Sequence, residues 1–405
     1  MKEFETYSLP NGIKGIHRRV KSSITHCALV VNAGTRDEQR DEYGLAHFAE
    51  HAFFKGTAHR KAYQVNCRLE NLGGELNAYT TKEDTTIHAT TLRGDFSKAV
   101  ELIADVAFNS TFPEKELAKE REVIIDEINT YKDSPADMIF DSFDDMIFAG
   151  SELGHNILGT KASLARYSTN HIKQFITRTH TTDQMVFSSI GNLSVGAVEK
   201  VAMRYLAEQE ASQRRFKRTA PADVAPFEKC INKHTHQTHC IVGARAYDIN
   251  AEKRLPLSLL INILGGPSAN SRLNILLREK NGLSYNIEAA YTPYSDCGAV
   301  AIYFSCDHHN TDLCRELIDK ELHTLRSTRL TSRQLSLIKR QFLAQMAISM
   351  ENNEGYMLGA GKSYLIHDEI DTLEEVYKKV SAVTAEQILE VAEEIFSQPS
   401  TLIYR

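Results

Sequence analysis

The chain has 405 residues, 42% hydrophobic and 25% charged, with a net charge of −6. That gives room for two ordinary soluble domains and no reason to expect a nucleic acid or an acidic membrane as partner. Seven cysteines, odd in number and without a C-x-x-C pair, read as free thiols of a reducing compartment and exclude a disulfide framework.

The start, MKEFETYSLPNG, is polar and lacks the apolar core of a signal peptide, and no apolar run is long enough to span a bilayer. A cytoplasmic protein with no membrane association is therefore expected. The stretch from Phe4 to Gly12 alternates and turns at Asn11-Gly12, a hairpin signal, and a strand is expected from Ile24 to Ala33. Next comes Gly44-Leu-Ala-His-Phe-Ala-Glu-His-Ala-Phe-Phe-Lys-Gly56, whose His47, Glu50 and His51 form H-x-x-E-H. On a helix His47 and His51 share one face and can present two imidazoles to one metal ion, with the Glu50 carboxylate beside them. The same residues could be scattered over an exposed helix, but Leu45, Phe48, Ala49, Ala52, Phe53 and Phe54 make this helix apolar nearly all round, hence buried. Buried His and Glu need partners, which a shared metal supplies.

A second helix is expected from Ala62 to Leu72, ended by Gly73-Gly74, and then a Thr-rich hairpin, Glu75–Thr81 and Thr85–Leu92. Helices follow at Phe96–Asn109, Glu114–Tyr131 and Pro135–Phe148. On the middle one Glu120 and Glu127 are two turns apart and project to one side, with Glu127 set in the apolar run Val-Ile-Ile-Asp-Glu-Ile. A His, His, Glu set leaves a fourth zinc position open, the catalytic arrangement. Glu152 and His155 form an E-x-x-H, but Gly154 between them speaks against a helical di-metal motif. A strand at Gln184–Ile190 closes the first sheet.

Here the chain resembles the pitrilysin, insulinase and mitochondrial processing peptidase family of zinc peptidases, whose H-x-x-E-H is followed about 76 positions on by a ligating Glu. In this sequence 127 − 51 = 76, within Glu120-Arg-Glu-Val-Ile-Ile-Asp-Glu127-Ile. The resemblance implies His47, His51 and Glu127 as ligands of one Zn2+ per chain, Glu50 as general base and Glu120 as a supporting acidic residue of the catalytic site. Asn77-Ala78-Tyr79-Thr80 matches the family's N-A-x-T edge strand, which implies that Asn77 and Ala78 bind an extended peptide by strand addition. Arg278 and Tyr285 match its R-x6-Y element, since 285 − 278 = 7, and are implied to reach across from the second domain to grip substrate and steady the oxyanion.

From Ala207 to Pro226 the apolar period is lost and a basic cluster appears, Arg214, Arg215, Lys217 and Arg218, read as solvated interdomain linker. The second half repeats the first weakly. Thr25-His26-Cys27 recurs as Thr238-His239-Cys240, and Asn77-Ala-Tyr-Thr80 as Ala289-Ala-Tyr-Thr292. The helix at Leu255–Leu264, the counterpart of the metal helix, has no ligands. The tract His234-Thr-His236-Gln-Thr-His239, read as strand, puts its first two imidazoles on one face and the third opposite, an arrangement that disfavours metal binding. Thr331 with Gln334 makes a capping box that opens a helix to Met350, and helices from Leu373 to Phe396 and a strand at Thr401–Tyr404 finish the chain.

The expectation is thus an α+β protein of two duplicated domains, each a mixed β-sheet covered by helices, the metallopeptidase α/β roll of the family. A zinc-binding catalytic domain spans 1–210, a linker 211–226, and a domain without ligands, carrying the Arg/Tyr element, 227–405. The function implied is zinc endopeptidase acting on extended or unfolded peptides. The alternative is a catalytically silent peptide-binding or scaffold subunit of a peptidase complex. By analogy with larger relatives a homodimer is implied, or a heterodimer with a related chain.

Overall fold

A strand such as ITHCALVV, apolar at five consecutive positions, can sit in a sheet only if both faces are covered. The computed structural model describes residues 3–405 and shows how that cover is supplied. Strands β1 (Glu5–Ser8), β2 (Lys14–Arg19), β3 (Ile24–Val31), β4 (Glu75–Thr80), β5 (Thr85–Leu92) and β6 (Met185–Gly191) form a six-stranded sheet in the order β1-β2-β6-β3-β5-β4. Strands β7 (Glu228–Ile231), β8 (Thr238–Ala246), β9 (Ser284–Pro293), β10 (Gly298–Cys306) and β11 (Ser400–Tyr404) form a second, in the order β7-β11-β8-β10-β9. Without β1 the two orders are the same. Each has one parallel pair at the matching place, β2 with β6 and β7 with β11, and antiparallel pairs elsewhere. The two echoes in the sequence fall on matching strands, β3 with β8 and β4 with β9. The fold is α+β, with two units each built on a mixed sheet and helices.

Five helices of the first half are α1 (Leu45–Phe53), α2 (Ala62–Glu70), α3 (Phe96–Asn109), α4 (Glu114–Lys132) and α5 (Pro135–Ile147). In the first sheet Cys27, Leu29 and Val31 of β3 join a core with α1, α3 and α4 through Phe48, Phe53, Val100, Ile103 and Ile124. Ala28 and Val30 point the other way, into a smaller core with Ile16, Val186, Ile190, Met357 and Ala360. Met357 and Ala360 belong to a helix, Asn353–His367, that comes from the far end of the sequence. The second sheet is treated reciprocally. Cys240 and Val242 of β8 face one core, while Ile241 packs with Ile139, Phe143 and Ile147 of α5, a helix from the first half.

The compact units are therefore interleaved. One comprises the chain through Asn129, His155–Arg218 and Ile348–Thr372; the other comprises Thr130–Gly154, Thr219–Ala347 and Leu373–Arg405. Sequence reading, which knows only neighbours along the chain, divided it contiguously at 211–226 and did not anticipate the Asn353–His367 helix. The His tract also differs from expectation. His234 has φ 53 in an irregular segment, and the strand begins only at Thr238, where His239 Nδ1 lies 2.8 Å from the Tyr303 hydroxyl. All seven cysteines are free. Among the described residues no helix is long and apolar enough to cross a membrane.

Candidate metal centre

The apolar all-round pattern of α1 puts Leu45, Phe48, Ala49, Ala52 and Phe53 in the core and leaves one polar stripe, His47, Glu50 and His51, facing α4. Four-residue spacing brings the two imidazoles together edge to face, with ring centroids 4.6 Å apart and an interplanar angle of 61°. From α4, Glu127 brings its Oε2 to 3.8 Å from His47 Nε2 and 3.7 Å from His51 Nε2. One donor atom from each of the three lies within 4.8 Å of the others. Separations near 3.7 Å are too long for hydrogen bonds but suit donors that each stand about 2.0–2.2 Å from one shared ion.

Glu120, two turns before Glu127, is buried behind this set. Its Oε2 is 3.3 Å from His51 Nδ1 and its Oε1 2.6 Å from Lys55 Nζ. A carboxylate at Nδ1 places the imidazole proton there and leaves the Nε2 lone pair toward Glu127, the tautomer that a metal ligand requires. Burial, followed by the neighbouring His51, pushes His47 down to about 3, so it stays neutral and able to donate its lone pair. Burial, followed by the Glu127 charge, pushes Glu50 up to about 8. A cation among the ligands would draw that carboxyl group back toward its ordinary range. Two imidazoles and a carboxylate, with one imidazole oriented from behind, fit a zinc ion.

The remaining expected site residues fall on two elements. Asn77 and Ala78 lie on β4, the outermost strand of its sheet, paired on one side only with His88 and Ile87 of β5. Asn77 is exposed, while Ala78 is half-buried against the core that α1 also joins. Arg278 and Tyr285 belong to the second unit. Arg278 is on the Asn274–Lys280 helical segment, and its guanidinium carbon lies 4.6 Å from the ring centre of Tyr285, the first exposed residue of β9.

Several residues that shape the region were not found from sequence. The basic linker cluster is not uniformly solvated, because the Arg218 guanidinium is buried. It donates to Asp37 Oδ1 and Oδ2 at 2.9 and 2.7 Å and to the Glu83 carbonyl at 2.8 Å. Arg36 pairs with the Glu83 carboxylate at 2.6 Å. These contacts fasten the loop ahead of α1 to the turn between β4 and β5. The pairing of Glu38 with His155 escaped notice too, for the same reason: the partners are far apart in sequence. The one sequence signal was His155 itself, noted only for its E-x-x-H spacing from Glu152.

Comparison with known proteins is consistent with this geometry. Residues 17–161 match the family described as insulinase (peptidase family M16), and residues 166–342 match the peptidase M16 inactive domain. The chain is 31% identical over 372 residues to the uncharacterized zinc protease YmxG of Bacillus subtilis, covering 92% of this chain and 90% of that protein. It is 30% identical to an uncharacterized zinc protease of Rickettsia bellii, with 92% and 90% covered. The fold is shared with a protease from Helicobacter pylori (TM-score 0.91, 19% identity, 99% of both chains). It is shared equally with the structure titled peptidase M16 inactive domain from Pseudomonas fluorescens (TM-score 0.91, 19% identity, 99% and 98%). This chain belongs to the insulinase family of peptidases, M16.

Proposed function

We propose that the protein is a zinc-dependent endopeptidase that hydrolyses extended or unfolded peptides, with Glu50 as general base. The observation that supports this most directly is the convergence of His47, His51 and Glu127 beside Glu50, on two helices of one unit. Zinc held by those three side chains would supply electrophilic activation of water and of the scissile carbonyl. Glu50, one residue before a ligand and largely buried, is placed to take the proton of the attacking water and return it to the leaving amine. The free edge of β4 offers main-chain donors and acceptors to a peptide added as a further strand, which selects extended shape over any single side chain. Asn77 and Ala78 would contact that strand. Arg278 and Tyr285, a guanidinium over an exposed phenol, are assigned to substrate binding. The assembly inferred is a homodimer in the cytoplasm, for which sedimentation velocity is the test.

Mass spectrometry of an unstructured peptide mixture, incubated with the wild type and with Glu50→Gln, tests the chemistry. New fragments are expected with the wild type only, the variant being slower by about 10²–10⁴-fold. If zinc binds and neither protein cuts, a peptide-binding or scaffold role replaces the peptidase.

A further inference from the structure

Helix α1 begins without a cap of its own. Its N-cap is Gly44, at φ 91, which has no side chain to receive the free amides of the first turn. Those amides are met from a distance by Glu38. Its Oε2 accepts from Gly44 N at 3.0 Å and its Oε1 from Ala46 N at 2.7 Å, the residue immediately before His47. The Glu38 carboxylate is wholly buried, and burial pushes its pKa well above the usual range despite the two amide donors. A buried carboxylate at a helix N-terminus holds its place only if its remaining acceptor sites are filled. His155 fills them, with Nε2 2.7 Å from Glu38 Oε2.

The imidazole is itself held in position. Its ring stacks on Tyr43 at a centroid distance of 3.9 Å and an interplanar angle of 8°. The loop that carries it is seated on the helix start through two glycines. A Cβ on Gly44 would come within 2.7 Å of Gly159 Cα, and one on Gly159, at φ +67, within 2.5 Å of the Tyr43 carbonyl. The Lys82 ammonium, from the turn beyond β4, donates to the His155 carbonyl. The loop is thus fixed against the start of the helix at its backbone, its ring and its hydrogen-bonding edge.

We infer that His155 is a positioning residue for the metal centre: through the Glu38 carboxylate it fixes the first turn of α1, and with it the placement of His47. The inference rests on the reading of His47, His51 and Glu127 as zinc ligands. It says nothing of peptide hydrolysis, so it stands or falls on metal binding alone.

The test uses the full chain, titrated with Zn2+ by calorimetry and with Co2+ by its visible d–d absorption, a direct report of ligand geometry. His155→Leu removes the Nε2 group. It is expected to weaken zinc binding by about tenfold or more and to shift the Co2+ bands. His155→Gln puts an amide nitrogen near the place of Nε2 and is expected to keep near-wild-type affinity and spectrum. His155→Asn, one methylene shorter, is expected to behave like His155→Leu. Circular dichroism and thermal unfolding accompany each variant. Wild-type affinity and spectrum in a folded His155→Leu would overturn the inference. Should that variant not fold, the Gln/Asn pair decides, and equal behaviour of the two overturns it. Failure of the wild type to bind either metal would instead remove the metal-centre reading, and this inference with it.

Discussion

At the scale of single residues, the candidate site should depend on groups set behind its three donor side chains. Glu120 lies behind His51 and decides which imidazole nitrogen is free. Glu120→Gln keeps the shape but loses the charge that favours a proton on Nδ1, and zinc affinity should fall by about 10–100-fold in competition with a chromophoric chelator. A second residue sets a pH limit on stability. His180 is buried beside the rings of Phe53 and Phe175, and burial lowers its pKa to about 4. The unfolded chain binds this proton near pH 6.5 and the folded one only near 4, so the unfolded state holds more protons in between. Stability is therefore complete above about pH 6.5 and falls by up to about 1.4 kcal/mol per pH unit as the pH drops toward 4. His47 adds to this with the same sign when no metal holds it. Urea midpoints measured from pH 7 to 4.5 should fall less steeply for His180→Phe than for the wild type. Helix spacing made legible which residues share a face, His47, Glu50 and His51 on one helix and Glu120 with Glu127 on another; that the two faces meet was implied only by the family resemblance. Glu38, His155 and Arg218 were not legible, since an ion pair between positions more than a hundred apart leaves no periodicity to read.

At the scale of elements, binary pattern recovered most strands of the first sheet and the helices from Leu45 to Ile147, because burial on one face imposes a period of 2 or 3.6, but it gave no strand at β7 or β10 and no helix at Thr169–Thr179, Val195–Tyr205 or Thr311–Ser327. The Asn353–His367 helix escaped because its apolar residues do not form one stripe. Met357 and Ala360 face the first sheet, but Gly355, Gly359 and Gly361 interrupt the pattern. One of those glycines has a clear purpose. A Cβ on Gly361 would meet Ser188 Cβ and Val30 Cγ2 at 3.0 Å, so the helix lies close on the sheet, where the Ser188 hydroxyl donates to the Met357 carbonyl at 2.8 Å. Met357 is fully buried, and Met357→Ala should cost about 2–5 kcal/mol of stability in urea unfolding. The loss should fall on the unit that holds the metal centre, although the residue lies in the second half of the chain.

At the scale of the whole molecule, metal binding at the candidate centre should be linked to folding. If the folded chain alone collects His47, His51 and Glu127, zinc at a hundredfold excess over its Kd should raise the stability of the wild type by about 2.7 kcal/mol. The variant His51→Ala should show no such rise, with thermal unfolding in zinc and in chelator as the measurement. The duplication was visible in the sequence only as two short echoes, because what two repeats conserve is strand order and pairing sense, and many sequences satisfy those. The exchange of α5 and its counterpart is a packing fact with no local signature.

That exchange governs how the protein can be made. The sheet beside the candidate metal centre has one face that stays bare until Asn353–His367, more than 160 residues after its last strand, has been made. A nascent chain leaving the ribosome thus carries Ala28, Val30, Val186 and Ile190 uncovered until Met357 and Ala360 follow. The sheet that carries the candidate centre therefore depends for its second face on chain made well after the centre's own residues.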